Sequence, residues 1–172
     1  MKIVRQTIEV NPDEIDFLRE SNAIEGVYDP VSMHQAIYAW DYLRSQDVLN
    51  NSVVLKTHKI LMLHQKLQPN HKGYFRDCDV SVGGQIKLAQ DKIRPAMEEW
   101  CKDVATTLKV PGKDGVNIKT DHIAYEEIHP FIDGNGRTGR MFLNWERLQV
   151  GLPILVIKEE EKFAYYDWFK GL

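Results

Sequence analysis

Residues 129–140 read His129-Pro130-Phe131-Ile132-Asp133-Gly134-Asn135-Gly136-Arg137-Thr138-Gly139-Arg140. Pro130 disfavours α geometry at the residue before it, so a helix reaching this stretch ends at His129 and exposes the imidazole at its C-terminal tip. Gly134 and Gly136 let the backbone bend tightly and approach a ligand closely. A second helix, starting at Gly136, carries free N–H groups at its N-terminus and makes an anion site there. Arg137 and Arg140 lie three positions apart and project from one face of its first turn. Two cations there oppose the helix dipole, which is easier to explain if an anion sits between them. Asp133 places a carboxylate oxygen beside the nest, where a Mg²⁺ is normally wanted. A base, a carboxylate, an anion nest and two guanidinium groups thus fall within twelve residues. That set suits phosphoryl or nucleotidyl transfer.

Working outward, most of the chain carries helical periodicity. Asn11-Pro12-Asp13-Glu14 reads as a helix start, with Asn as N-cap, Pro at the first position and Glu at the capping-box position. Ile15, Leu18 and Ala23 share a face, and Gly26 stops the helix. A second helix over 31–44 aligns Ala36, Trp40 and Leu43, and a third over 52–67 aligns Val54, His58, Leu61 and Leu67. Cys78, Val80 and Val82 then alternate with Asp77, Asp79 and Ser81 before Gly83-Gly84, which is a hairpin signal. Helices follow over 90–108, 118–129 and 136–150, with a break at Pro111-Gly112-Lys113-Asp114-Gly115. Met141, Trp145 and Leu148 form the stripe of the 136–150 helix, which Gly151 and Pro153 terminate. A last helix starts near Glu159, where Glu159-Glu160-Glu161 favours the dipole. The class is mainly α, with one short β-hairpin.

The chain has 172 residues, 43% hydrophobic and 27% charged, with a formal net charge of −3. This fits one soluble domain with a short appendage, and it argues against a nucleic-acid binder that works by counterion release. Cys78 and Cys101 match no metal spacing and read as free thiols in a reducing cytoplasm. Residues 1–12 lack the apolar centre of a signal peptide, and the longest apolar run, 152–157, is too short to span a bilayer. A cytoplasmic location follows. His34, His58, His64 and His71 show no metal spacing and read as surface or core residues, and His122 reads as core support.

Residues 129–140 resemble the signature of the Fic (filamentation induced by cAMP) domain family, His-x-Phe-x-(Asp/Glu)-Gly-Asn-Gly-Arg-x-x-Arg, at every specified position. The similarity runs from about Ser21 to Tyr166. Gly73-Tyr74-Phe75-Arg76 and the Val80, Ser81, Val82 hairpin look like the family's target flap, and His122 recurs there also. The resemblance implies a single-domain Fic-type helical fold, with residues 1–29 as an N-terminal segment and 30–172 as the core domain. It also implies a protein adenylyltransferase that moves AMP from ATP onto a Tyr, Ser or Thr hydroxyl of a target protein. His129 would take the hydroxyl proton, and Asp133 would hold Mg²⁺ on the α- and β-phosphates. Asn135, with the Gly134 and Gly136 backbone, would cradle phosphate oxygens, Arg137 would clamp the β-phosphate and Arg140 the γ-phosphate. The flap would hold the target in extended form by strand addition. Family members often continue with more helix beyond Tyr165-Tyr166-Asp167-Trp168, so the resemblance implies an adenine pocket wall that is either incomplete here or supplied by a partner.

Ser21-Asn22-Ala23-Ile24-Glu25-Gly26 resembles the family's inhibitory motif, (Ser/Thr)-x-x-x-Glu-(Gly/Asn), in the subclass that carries it on an N-terminal helix. Glu25 would pair with Arg140 and occupy the γ-phosphate position, with Ser21 and Gly26 completing the motif. The implied partners are ATP, Mg²⁺ and a target protein, with no nucleic acid and no membrane; self-modification and a homo-oligomer stay open. Three other readings stand beside this one: a Doc-like γ-phosphate kinase, transfer of another nucleotide such as UMP, and a non-catalytic partner-binding module. The Doc-like branch typically has lysine where this chain has Gly136. Residues 134–139 also match the dinucleotide fingerprint GxGxxG, but a helix precedes them rather than the strand that reading requires.

Overall fold

The computed structural model describes residues 8–110, 112 and 114–170. Among the described residues seven α-helices run α1 Pro12–Ile24, α2 Pro30–Arg44, α3 Asn51–Leu61, α4 Ile93–Thr107, α5 Gly115–Ile128, α6 Asn135–Gln149 and α7 Lys162–Tyr166. A hairpin of β1 Ser81–Val82 and β2 Gln85–Ile86 pairs antiparallel, Ser81 opposite Ile86 and Val82 opposite Gln85. The fold is mainly α with one small hairpin. Residues 1–7, Pro111 and Lys113 lie outside the described residues, so the start of the chain and part of the 111–115 break are not covered.

α6 is the axis of the molecule. Arg137 through Glu146 are all buried, and α1, α2, α3 and α5 pack around it. Burial on every side ends at Glu146, so Met141 and Trp145 are covered while Leu148, on the last turn, remains 40% exposed. The aromatic centre is Trp100, Tyr125 and Phe142, with Trp100 and Tyr125 rings 5.2 Å apart and Tyr125 and Phe142 rings 5.3 Å apart. α1 adds Phe17 and Leu18 to the same core, Phe17 meeting Trp40 edge-on at 5.4 Å. Its N-terminus is the capping box read from sequence: the Asn11 side chain accepts from Glu14 N–H, and Glu14 accepts from Asn11 N–H, each at 2.9 Å. Glu14 is itself buried. It pairs with Arg44 at 3.0 Å and accepts from the Trp40 indole at 2.9 Å, which satisfies the carboxylate inside the core.

Element boundaries differ from the periodicity in instructive ways. α3 stops at Leu61 rather than near Leu67, and the chain turns there so that Gly73 N–H reaches His58 Nδ1 at 2.9 Å. α5 begins at Gly115, earlier than its first core residue Ile118, because the Asp114 side chain caps Val116 and Asn117 N–H. The hairpin strands are two residues each, shorter than the alternation from Cys78 predicts. The Arg76 guanidinium donates to Cys78 O on one arm and Leu88 O on the other, occupying the base of the hairpin where ladder bonds would lie. Gly83 and Gly84 both have positive φ, +58° and +82°, which the tight turn requires. After α6, the 152–157 run is extended and fastened by Asn144, which accepts from Leu155 N–H and donates to Leu155 O. The last helical stretch is α7 with a three-residue 3₁₀ turn at each end.

Candidate active site

His129 ends α5 in the left-handed region at φ 49°, ψ 64°, the only non-glycine with positive φ among the described residues. Pro130 excludes α geometry at His129, and the left-handed turn swings the chain back over the helix end. The turn is held from outside by Arg76. Its Nε donates to His129 O at 2.8 Å, its Nη2 to Ile128 O at 3.3 Å, and its backbone N–H to Pro130 O at 2.9 Å. One buried guanidinium therefore binds the end of α5 to the flap base. Burial depresses its pKa, and its donors all go to backbone carbonyls.

Asn135 fastens the loop that follows. Its Oδ1 accepts from Phe131 N–H and its Nδ2 donates to Phe131 O, both at 2.8 Å. The side chain is thus committed to the loop, and only its backbone faces the place where phosphate was expected. His58 supports the loop from beneath. Nε2 donates to Asp133 O at 2.9 Å, Nδ1 accepts from Gly73, and the ring stacks on Phe131 at 3.7 Å. Burial lowers its pKa to about 4, so it is neutral at physiological pH. Sequence placed His58 in the core; its link between the flap approach and the Asp133 loop emerges only from the fold.

Gly134, at φ +82°, opens α6 with no side-chain cap. The first N–H groups of α6 therefore carry no side-chain acceptor. Arg137 lies beside them, 3% exposed, its Nη2 3.5 Å from Asp133 Oδ1 and 3.5 Å from Met62 Sδ. Its Nε and Nη1 are buried with no hydrogen-bond partner among the described residues. Asp133 is more than half exposed and accepts from Gly134 N–H at 2.6 Å. Three or more His, Cys, Asp or Glu side chains do not cluster for a metal anywhere among the described residues. A single carboxylate is nevertheless what a phosphate-bound Mg²⁺ takes from a protein, the substrate and water supplying the rest.

Every arm of the Arg140 guanidinium is engaged by protein groups. Its Nη2 pairs with Glu25 Oε1 at 2.8 Å and donates to Ser21 O at 2.9 Å, while Nε donates to Ser21 Oγ at 2.9 Å. Nη1 reaches Tyr165 OH at 3.3 Å. Burial works against the Arg140 charge, and Tyr165 and Glu25 outweigh it. Glu25 is the C-cap of α1, and Gly26 at φ +71° lets the chain leave. The Glu25 carboxylate lies so close to Gly136 that a Cβ there would collide with Oε1. It therefore sits over the first turn of α6.

Two side chains not singled out from sequence complete the surroundings. Tyr165 on α7 shares its hydroxyl between Arg140 and His122 Nε2, the latter at 2.9 Å. Burial holds His122 down at about 4, a neutral core residue as its sequence context suggested. Glu126 lies one turn before His129, its Oε2 3.6 Å from Nδ1. The i, i+3 spacing on α5 was the available signal for it. A cleft of about 380 Å³ opens beside Glu126, between it and residues 85–88 of the second hairpin arm.

The Fic/DOC family model matches residues 52–146. The chain belongs to the Fic/DOC family. Among curated relatives, the protein adenylyltransferase Fic of Drosophila grimshawi is 31% identical over 140 residues, 77% of this chain and 28% of its own. That of Aedes aegypti is 28% identical over 131 residues, 74% of this chain and 25% of its own. The chain thus spans about a quarter of the length of these relatives. Among solved structures, a Fic domain containing signaling protein from Bacteroides thetaiotaomicron matches with TM-score 0.77 at 18% identity, over 90% of this chain and 69% of that one. Fic-1 from C. elegans matches with TM-score 0.72 at 18% identity, over 92% of this chain and 55% of that one. These likenesses establish the Fic fold, and α6 with its preceding loop is the Fic motif.

Proposed function

We propose that this Fic domain is a protein adenylyltransferase, with ATP held on the first turn of α6 and His129 as the base. The observation that carries this reading is Arg137. A buried guanidinium with two donors lacking partners, beside an uncapped helix N-terminus, is matched by a polyphosphate. Arg137 binds the β-phosphate side, Gly134 and Gly136 admit phosphate oxygens to the backbone N–H groups, and Arg140 takes the γ-phosphate once free of Glu25. Asn135 contributes its backbone and keeps the loop rigid. Asp133 would hold a Mg²⁺, which supplies charge neutralisation at the phosphates. The flap residues Val80, Ser81 and Val82 carry the target segment past His129. As the target oxygen bonds to the α-phosphorus, its proton passes to the His129 imidazole and pyrophosphate leaves with the electron pair.

Glu25 is read as a brake. Its carboxylate meets Arg140 where the γ-phosphate would otherwise sit, so ATP binds with its terminal phosphate displaced and its α-phosphate out of line. The Ser21 contacts hold Arg140 in the same place. The substrates are a target protein and, with the brake released, the chain itself. Among the described residues no helix is long and apolar enough to cross a membrane, and a cytoplasmic site of action is proposed with that.

A γ-phosphate kinase reading is disfavoured by Gly136. The lysine expected there in that branch would collide with the Glu25 carboxylate that now closes the site. Incubation of the Glu25→Gly variant, in which the brake is removed, with ATP labelled at the α- or γ-phosphate tests the assignment. Protein-bound label from α-labelled ATP alone supports adenylylation, label from the γ-position supports the kinase, and no label with ATP bound supports a binding module.

A further inference from the structure

We infer that Glu126 is a positioning residue for His129, its carboxylate accepting the Nδ1–H so that the Nε2 lone pair faces the target hydroxyl. This rests on the reading of His129 as the base. Catalysis by an imidazole requires the right nitrogen to be bare, and the tautomer is set by what the other nitrogen meets. The backbone of His129 is fixed by Arg76 and Pro130, but those contacts leave the ring undetermined. His129 Nδ1 is buried and has no hydrogen-bond partner, and the group beside it is Glu126 Oε2 at 3.6 Å. That separation is an ion-pair contact rather than a hydrogen bond. Contacts of this kind commonly tighten when substrate engages.

Charge balance points the same way. A carboxylate as enclosed as Glu126, with its side chain 12% exposed, needs a cation or donors. His122 on the same helix is neutral, and Arg140 on α6 is engaged by Glu25, Ser21 and Tyr165. Tyr125 on α5 gives its hydroxyl to Thr138. The imidazole of His129 is the remaining counterpart, and it becomes cationic when it takes the target's proton. Burial pushes the Glu126 carboxyl up, and the neighbouring His129, the largest opposing influence, helps to hold it below the usual carboxylate value. Packing also makes room for it. A Cβ on Gly139 would lie 2.5 Å from Glu126 Oε1, so glycine at that point of α6 admits the carboxylate.

The test is ¹⁵N histidine NMR on the full chain, comparing the parent with Glu126→Leu, since a Gln amide oxygen could still accept the proton. The parent should hold His129 as the Nδ1–H tautomer, and Glu126→Leu should lose that bias. Gly139→Ala keeps both side chains but intrudes on the carboxylate, and should shift the same signals in the same direction. In a Glu25→Gly background, Glu126→Leu should reduce kcat by roughly 10- to 100-fold with little change in KM for ATP. An unchanged His129 tautomer in both variants overturns the inference, as does a lowered melting temperature without that spectral change. Transfer by His129→Ala would instead refute the base reading, leaving the NMR result to decide the tautomer.

Discussion

Glu25 and Arg140 are 115 positions apart in the chain and 2.8 Å apart in space. The contact joins the C-cap of α1 to the second turn of α6, with the Glu25 carboxylate over Gly136 in the first. A carboxylate in that position is an internal anion on a helix N-terminus that otherwise has no cap. The first prediction follows from it. On the proposal that Glu25 is a brake acting through orientation, Glu25→Gly should raise self-modification by on the order of 10- to 100-fold, while ATP affinity changes less than about threefold. Transfer of α-label and calorimetric binding of ATP measure the two effects. A rise in affinity that matched the rise in rate would show simple competition instead. The double variant Glu25→Gly, Arg140→Ala should stay slow, because the second change removes the phosphate clamp that the first one frees.

His129 separates function from stability. Replacement by Ala should reduce transfer by about 10³-fold or more while leaving ATP binding in place. Replacement by Gly should be equally inactive, yet melt about 2–4 °C above the Ala variant, because glycine meets no penalty at φ 49°. Equal melting temperatures for the two would mean that the left-handed turn stores no strain.

Arg137 gives the matching prediction for the nucleotide. Arg137→Met keeps the length of the side chain and its packing against Met62, but removes a buried cation with two donors lacking partners. ATP should bind roughly 10- to 100-fold more weakly, and the unliganded protein should be as stable as the parent or more so. Isothermal titration and thermal melting without nucleotide check both halves. Destabilisation with unchanged ATP affinity would place Arg137 among structural residues.

Stability should fall in mild acid, because of two buried histidines. His58 and His122 each have a pKa lowered by burial from 6.5 to about 4. Between those values the unfolded chain takes up a proton at each and the folded chain does not. The stabilisation from keeping them neutral is therefore complete above about pH 6.5 and is lost as pH falls towards 4, at roughly 1.4 kcal/mol per pH unit for each. His58→Gln retains a donor for Asp133 O and an acceptor for Gly73 N–H, and should roughly halve the slope between pH 6.5 and 5. Urea unfolding across that range measures it.

Asp133→Ala should abolish Mg²⁺-dependent transfer, with Mn²⁺ rescuing poorly, while nucleotide binding measured in EDTA changes little. Equal rates for variant and parent at saturating Mg²⁺ would exclude Asp133 as the ligand.

Local chemistry alone determined much of this molecule. The Asn11 capping box, the Gly83-Gly84 turn, the helix end forced at His129 by Pro130 and the glycine opening of α6 are decided by neighbours within a few residues. Sequence could name them because backbone geometry and capping act at that range. Tertiary packing decided the rest. Arg76 chooses carbonyls from the α5 tip and both flap arms, His58 links Gly73 to Asp133, and Tyr165 arrives from α7 to share Arg140. The partners of a buried polar group are set by which elements pack against it, and its neighbours in sequence do not reveal them. Residues within 129–140 marked where chemistry is held; the meeting of α1 with α6 decided that Glu25, rather than solvent, faces Arg140 there.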